Sequence, residues 1–183
     1  MKVSLIGLPG SGKSTVGRYL SRRLHLPFFD CDFEIERQVG CSIRDYFERS
    51  GEEGFRDIEA SVVRGLTLLP AGVISTGGGV VGRVDNREIL HASSHVIYLH
   101  STPDEVFRRL RHDQSRPLLQ VADPMRRLRD MYAFRDPLYR ETAHLVIETG
   151  RPSVSDLVST IVAKLRSLDL VLPAVYRGKC EGD

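Results

Sequence analysis

A glycine-rich segment, residues 7–15, has the residue types that bind phosphate groups. It reads Gly-Leu-Pro-Gly-Ser-Gly-Lys-Ser-Thr, which has the spacing Gly-x4-Gly-Lys-Ser and lies between a strand-like stretch and a helix-like one. Glycines allow successive backbone N–H groups to turn toward phosphate oxygens, and the following helix adds the positive end of its dipole. Lys13 supplies a charge for the β- and γ-phosphates, and Ser14 supplies a hydroxyl for Mg²⁺. The segment predicts a nucleotide-binding site formed by Gly10, Ser11, Gly12, Lys13, Ser14 and Thr15.

Two acids, Asp30 and Asp32, stand at the end of a short apolar stretch, residues 26–32. The stretch predicts a buried strand, and ligands gather at the carboxyl ends of strands in an open parallel sheet. A spacing of two places both acids on one side of an extended chain, unless the strand has already ended there. The later strand-like stretch at residues 71–76 lacks the terminal acid of a Walker B segment. Asp30 is therefore the predicted acid of a magnesium site.

Three successive glycines, Gly77, Gly78 and Gly79, directly follow that later stretch. They remove every side chain from one place, which is typical either of a flexible turn or of backbone that touches a ligand. Because they follow a predicted core strand of a nucleotide-binding fold, their position favours contact with a ligand.

Two arginines are candidates for binding anions, but their spacing leaves their roles open. Arg56 lies three residues before Glu59 on a predicted helix, and this spacing by itself favours a solvent-exposed ion pair. Arg116 lies within residues 112–124, where polar residues and a proline interrupt the helical pattern. Such a loop is either an ordinary surface connection or a lid that closes over a phosphate site and brings an arginine to it.

The elements that position these residues alternate between strand and helix. Apolar runs predict strands at residues 3–6, 26–32, 71–76, 95–100 and 144–149. Helical patterns occupy residues 16–24, 33–69, 103–111, 124–140 and 153–168, the second of them interrupted at Gly40 and again at residues 50–53. Pro137 is predicted to end or bend its helix just after Arg135. This alternation predicts an α/β fold with a parallel sheet covered by helices on both faces.

Length and composition describe one ordinary α/β domain. The chain has 183 residues, is 41% hydrophobic and carries a net charge of +2, so neither disorder nor nucleic-acid binding is indicated. Three cysteines have a spacing that suits neither zinc nor disulfides, and no apolar run is long enough to span a membrane. Because residues 1–2 lead directly into the first strand, we expect a cytoplasmic protein without a targeting segment. The pair His91 and His95 is interpreted as exposed side chains rather than metal ligands.

With these groups assembled, the chain resembles a shikimate kinase over residues 2–168. Six motifs in sequence order carry the resemblance: Gly-Leu-Pro-Gly-Ser-Gly-Lys-Ser-Thr, Phe-Asp-Cys-Asp, Gly-Phe-Arg-Asp-Ile-Glu, Thr-Gly-Gly-Gly-Val-Val, Arg-Pro-Leu-Leu and Arg-Asp-Pro-Leu-Tyr-Arg. The resemblance implies the three-layer α/β/α P-loop fold of nucleoside monophosphate kinases, with a five-stranded parallel sheet in the order 2-3-1-4-5. It also implies transfer of the γ-phosphate of ATP to the 3-hydroxyl of shikimate, on the route to chorismate and the aromatic amino acids.

The resemblance divides the chain into functional segments. It implies a single P-loop kinase domain at residues 1–168, which contains a substrate-binding segment at residues 33–61 and a lid at residues 112–124. Residues 169–183 have no clear period and are expected to form a flexible tail. ATP and shikimate are the expected partners, Mg²⁺ is the expected cofactor, and the protein is expected to be monomeric.

On the substrate side, the resemblance implies that Asp32 contacts the reacting hydroxyl of shikimate and acts as the catalytic base. Arg56 and Arg135 match the arginines that hold the shikimate carboxylate, and the backbone of Gly77–Gly79 lies beside the ring. These roles agree with the chemistry of a small hydroxylated anion, because bidentate arginines fix its orientation while an acid accepts the proton.

On the nucleotide side, the resemblance implies that Lys13 and Arg116 stabilise the transferring phosphate, Arg116 from the lid. Asp30 matches the acid that reaches Mg²⁺ through water. Arg151 resembles a contact on the adenine side. Phosphoryl transfer depends mainly on positioning and charge stabilisation, for which these groups suffice without a covalent intermediate.

Two other functional classes fit the phosphate-binding loop alone. A gluconate kinase would share the loop and the fold, but would not be expected to combine the paired acids, the triple glycine and Arg135. A non-catalytic nucleotide switch would be expected to carry an Asn-Lys-x-Asp motif and an acid at the end of the third strand, and the sequence has neither.

Overall fold

A parallel sheet of five strands positions the site in the computed structural model, which describes residues 1–111, 121–150 and 152–167. The strands are β1 (Lys2–Ile6), β2 (Phe28–Asp30), β3 (Gly72–Ser75), β4 (His95–His100) and β5 (Leu145–Glu148). Their order is β2-β3-β1-β4-β5 and every pairing is parallel. This confirms the predicted fold class and the predicted strand order.

Helices cover both faces of the sheet. They are α1 (Lys13–Leu24), α2 (Cys31–Val39), α3 (Ile43–Thr67), α4 (Val84–Ser93), α5 (Pro103–Leu110), α6 (Pro124–Thr142) and α7 (Val154–Ser167). On one face α1 and α7 pack Leu20 and Ile161 against Leu5 of β1. On the other face α3 and α6 contribute Val62 and Tyr139 to a second cluster that contains Ile6 of β1. Because neighbouring residues of β1 enter opposite clusters, the sheet is buried on both faces.

Local signals set where several helices begin. The Thr102 side chain accepts a hydrogen bond from the backbone N–H of Glu105, whose carboxylate accepts one from the backbone of Thr102 in return, and Pro103 is the first helical residue. Ser42 caps α3, which is interrupted at Gly51 by the non-helical angles φ 67° and ψ −174°. The two halves of α3 therefore correspond to the two helical pieces predicted on either side of residues 50–53.

The second strand is shorter than predicted. It ends at Asp30, and α2 begins at Cys31, so Asp32 lies in the first turn of a helix rather than in an extended segment. The cause is a cap: the Asp30 carboxylate accepts a hydrogen bond from the backbone N–H of Asp32 at 3.1 Å. Both acids nevertheless remain at the carboxyl end of β2, as predicted.

Of the two outcomes predicted for Pro137, an end or a bend of its helix, the structure excludes the first, since α6 continues to Thr142. An internal proline costs a helix about 3 kcal/mol, so other contacts must hold the last turns. Tyr139 is fully buried and its ring lies 4.8 Å from that of Tyr98. Tyr98 in turn donates a hydrogen bond of 2.9 Å to Asp136. This packing against β4 stabilises the helix beyond the proline.

Some sequence predictions concern residues outside those described. They are most of the lid, residues 112–120 with Arg116, together with Arg151 and the tail at residues 169–183. None of the helices in the described ranges is both long and apolar enough to cross a membrane.

Candidate active site

A cavity of about 400 Å³ opens at the carboxyl end of the sheet, beside β1, β2 and β3. It is lined by Pro9, Gly10, Gly12, Lys13, Ser14, Thr15, Asp30, Asp32, Ile43, Phe55, Arg56, Glu59, Thr76, Gly77, Gly78, Gly79 and Leu110. The phosphate-binding loop, both predicted acids, Arg56 and the triple glycine therefore face one space. This is the edge at which ligands of open α/β sheets bind.

The phosphate-binding loop turns sharply between β1 and α1. Gly10 (φ 79°) and Gly12 (φ 93°) have left-handed backbone conformations, which residues with a Cβ atom rarely adopt. Gly12 is the cap residue of α1, so the unpaired N–H groups of the first turn face the cavity. The loop therefore presents backbone donors and a helix dipole to an anion.

Two side chains of the loop are poised for the same anion. The Ser11 hydroxyl is buried and has no hydrogen-bond partner among the described residues. A phosphate oxygen bound in the loop would supply that partner. The Lys13 ammonium lies across the loop and donates to the carbonyl oxygens of Gly7 (2.9 Å) and Leu8 (2.8 Å). The loop thus holds its positive charge close to the backbone N–H groups.

The predicted metal residues lie together on the adjacent side. The Ser14 hydroxyl donates to the Asp30 carboxylate at 2.6 Å and lies 3.2 Å from the Ser75 hydroxyl at the end of β3. Hydroxyl and carboxylate oxygens are the hard donors that Mg²⁺ prefers, so the residues present fit this cation. Within the described ranges, no group of three or more His, Cys, Asp or Glu side chains could hold a metal by itself. A magnesium ion here would depend on nucleotide oxygens as further ligands.

Arg56 and Glu59 form an ion pair, as their spacing predicts, but the expectation that solvent surrounds it is wrong. Arg56 Nη1 donates to Glu59 Oε2 at 3.2 Å, and the Glu59 side chain is only 2% exposed. Burial raises the pKa of Glu59, against the lowering effect of Arg56, and the charge of Asp32 raises it further. Because Nη2 of Arg56 also binds Glu52 at 3.2 Å, the guanidinium is oriented from two sides.

The triple glycine makes room for the side chains of the site itself. A Cβ atom at Gly77 would lie 2.6 Å from Glu59 Oε1, and one at Gly78 would lie 2.6 Å from Cδ of Pro9. A Cβ atom at Gly79 would overlap the guanidinium of Arg56. The backbone angles do not require glycine here, since none of the three has a left-handed conformation. These positions therefore require glycine because neighbouring groups pack closely against their backbone. As a consequence, the backbone itself lines the cavity.

Arg135 reaches the same region from α6. Its Nη1 donates to the carbonyl oxygen of Gly78 at 3.1 Å, and its charge lowers the pKa of Glu59. Asp32 also borders the glycine turn, with Oδ1 3.4 Å from the position of a Cβ atom at Gly77. The two arginines predicted from distant parts of the sequence and the predicted base are thus brought around one segment of backbone.

Three polar residues of this region were missed by the sequence analysis. The spacing predicts Glu59 as a solvent-exposed partner of Arg56, Ser75 falls within a predicted strand, and Tyr139 lies on a predicted helix. Ser75 could have been predicted as a site residue, because it ends the strand on which a Walker B acid is expected but absent. Tyr139 had no such signal beyond its place in the last of the six motifs.

A family model described as shikimate kinase matches residues 9–166. The chain belongs to the shikimate kinase family. A shikimate kinase from Paracidovorax citrulli is 54% identical over 168 residues, 90% of this chain and 92% of that protein. A shikimate kinase from Neisseria meningitidis is 45% identical over 164 residues, 90% of this chain and 95% of that one.

Solved structures support the same family. The shikimate kinase from Acinetobacter baumannii in complex with shikimate matches with a TM-score of 0.88 and 43% identity, over 93% of this chain and 95% of that one. A gluconokinase from Sinorhizobium meliloti 1021 matches with a TM-score of 0.57 and 17% identity, over 91% and 92% of the two chains, which shows the fold alone. The chain is therefore an ATP-dependent phosphotransferase of the shikimate kinase family, and neither alternative from the sequence is supported.

Proposed function

We propose that the cavity at the carboxyl end of the sheet transfers the γ-phosphate of ATP to the 3-hydroxyl of shikimate, giving shikimate 3-phosphate and ADP. One observation carries this proposal: the phosphate-binding loop, Asp32 and Arg56 line the same cavity. A phosphate donor and a small anionic alcohol can therefore meet without leaving the site. The geometry suits direct transfer, in which positioning and charge stabilisation provide most of the rate enhancement.

The nucleotide side uses the loop between β1 and α1. Its backbone N–H groups and the Ser11 hydroxyl bind phosphate oxygens, and the Lys13 ammonium moves from the Gly7 and Leu8 carbonyls to the β- and γ-phosphates. Ser14 and Asp30 would hold Mg²⁺, the latter through water. When bound, the cation neutralises charge that develops on the phosphate oxygens.

Two further arginines are assigned to the nucleotide side by the family resemblance alone. Arg116 is proposed to contact the transferring phosphate, and Arg151 to lie near the adenine. Both are outside the described residues, so their roles depend on the sequence motifs.

The acceptor side uses two arginines and one acid. Arg56 and Arg135 bind the carboxylate of shikimate, and the backbone of Gly77–Gly79 lies beside the ring. The Asp32 carboxylate accepts the proton of the 3-hydroxyl as that oxygen attacks the γ-phosphorus. The bond between the γ-phosphorus and the β–γ bridging oxygen breaks, and ADP leaves with the electron pair.

A phosphate-acceptor panel tests the reaction. Purified protein with ATP and Mg²⁺ should release ADP rapidly when shikimate is added, as measured by a coupled spectrophotometric assay. Gluconate and buffer alone serve as controls and should give at most background turnover. Equal stimulation by gluconate, or none by shikimate, would exclude the proposed acceptor.

We further propose that the enzyme works as a monomer in the cytoplasm. Cys31 is buried and Cys41 is half-buried, and both are free thiols, which suits a reducing compartment. Sedimentation velocity at micromolar concentration should give a single species of about the 20.6 kDa chain mass. A stable dimer would contradict the first part of this proposal.

A further inference from the structure

The carbonyl oxygen of Gly78 is held by two side chains of α6. It accepts one hydrogen bond from Arg135 Nη1 and another from the hydroxyl of Tyr139. The neighbouring carbonyl oxygens of the turn, those of Gly77 and Gly79, accept from backbone N–H groups of the short 3₁₀ turn that follows. The middle carbonyl thus faces α6 and joins the glycine turn to the helix that carries Arg135.

The two donors differ in mobility. Tyr139 is fully buried, with a relative exposure of 0%, and its ring packs 4.8 Å from that of Tyr98. Arg135 is half-buried and has a long flexible stem, so it loses more side-chain entropy when it is held in one conformation. Tyr139 is therefore the fixed point between the helix and the turn.

The chemistry of the hydroxyl suits this task. Burial raises the pKa of Tyr139 well above its ordinary value, more than the charge of Arg135 lowers it. The phenol remains protonated near neutral pH and can donate to the Gly78 carbonyl continuously. When the Arg135 guanidinium turns toward a substrate carboxylate, the Tyr139 hydroxyl still pairs with the Gly78 carbonyl oxygen.

We propose that Tyr139 is a positioning residue for the acceptor substrate. Its hydroxyl fixes the distance between the Gly78 backbone and Arg135, so that the glycine turn and the arginine meet shikimate in one arrangement. The inference rests on the proposed function, since it concerns the same acceptor. It adds a residue that does not touch the reacting atoms and acts through Arg135, whose place relative to the Gly78 backbone it sets.

The test replaces Tyr139 by Phe, which keeps the buried ring and removes one hydroxyl. Tyr132→Phe is the matched control, because Tyr132 lies on the same helix and its hydroxyl lies 2.9 Å from Nε2 of His100 on β4. We expect Tyr139→Phe to raise the shikimate KM about tenfold, with kcat and the ATP KM within about twofold of the unsubstituted enzyme. Tyr132→Phe should leave the shikimate KM within about twofold.

Two further arms separate positioning from packing. In an Arg135→Ala background, Tyr139→Phe should change the shikimate KM by less than about twofold, because the group that it positions is gone. Replacement of Tyr139 by 4-aminophenylalanine restores a donor on the same ring and should return the shikimate KM to within about twofold of the original. Calorimetric titration measures the dissociation constant of shikimate for each variant, so the same comparisons can be made for a variant whose turnover is weak.

The outcomes that overturn the inference are distinct from those that overturn the function. An unsubstituted enzyme that fails to phosphorylate shikimate contradicts the proposed function before any variant is compared. With an active enzyme, an unchanged KM in Tyr139→Phe contradicts the role of the hydroxyl. Equal losses in Tyr139→Phe and Tyr132→Phe, or no recovery with 4-aminophenylalanine, would assign the effect to packing of α6.

Discussion

Glu59 lies buried against Arg56 and accepts a hydrogen bond from its guanidinium at 3.2 Å, while Glu52 binds the other terminal nitrogen from a solvent-exposed position. One end of the guanidinium is thereby fixed from inside the protein. Burying a carboxylate costs stability, and a single partner offsets that cost only in part. The arrangement stabilises the orientation of Arg56 at some expense to the stability of the fold.

The first prediction concerns the pH dependence of this cost. The pKa of Glu59 is raised from 4.5 in the fold, chiefly by burial and against the effect of Arg56, so the folded protein holds this proton more tightly than the unfolded chain does. As pH rises from about 4.5 through the folded pKa, the buried carboxyl loses its proton and its contribution to stability falls. The amide of a Glu59→Gln variant does not titrate.

Urea unfolding of both proteins at about pH 5 and about pH 8 measures this difference. The stability of Glu59→Gln relative to the original protein should be higher at the more alkaline pH. A matched control is Glu52→Gln, which removes the exposed carboxylate that binds the same guanidinium; because an exposed ion pair contributes little to stability, its effect should be small at both pH values. An identical difference at both pH values for Glu59→Gln would contradict the interpretation.

The second prediction concerns Asp32 as the catalytic base. Asp32→Asn keeps the size of the side chain but cannot accept a proton, so kcat should fall by roughly 10²- to 10⁴-fold. The affinity for ATP, measured by calorimetry, should remain within about threefold, because the phosphate-binding loop is unchanged. Turnover near the original rate would remove Asp32 from the role of base.

Much of this site could be predicted because its signals are local. The loop at residues 7–15 carries its glycine spacing, its strand and its helix in one continuous segment, and the acids and the triple glycine follow their strands directly. Parallel topology then brings strand ends to one edge, so a sequence pattern is enough to place these groups together.

The parts that could not be predicted depend on contacts between distant segments. The Glu59 carboxylate is buried where it packs against Gly77 of the glycine turn, and the spacing of residues 56–59 does not indicate this contact. The continuation of α6 past Pro137 comes from the packing of Tyr139 on Tyr98. Local propensity is a weak guide wherever such tertiary contacts oppose it.

The third prediction separates the two substrates at Arg135. Arg135→Ala should raise the shikimate KM by roughly 30- to 100-fold, since it removes a charge-assisted contact to a carboxylate, and should change the ATP KM by less than about threefold. Arg129→Ala, an exposed arginine on the same helix, is the control and should leave both constants unchanged. A larger effect on the ATP KM than on the shikimate KM would place Arg135 on the nucleotide.

The fourth prediction concerns the space beside Arg56. A Cβ atom at Gly79 would overlap the Arg56 guanidinium, which is the end of a flexible side chain and can move aside. Gly79→Ala should therefore raise the shikimate KM about tenfold, because the guanidinium leaves its place against Glu59. It should also lower the unfolding temperature, since the buried Glu59 then loses the partner that offsets the cost of its burial. Gly82→Ala is the matched control, since a Cβ atom there meets nothing within 4 Å. Equal kinetic constants for the two variants, measured in the same coupled assay, would show that the position of Arg56 is not what these glycines preserve.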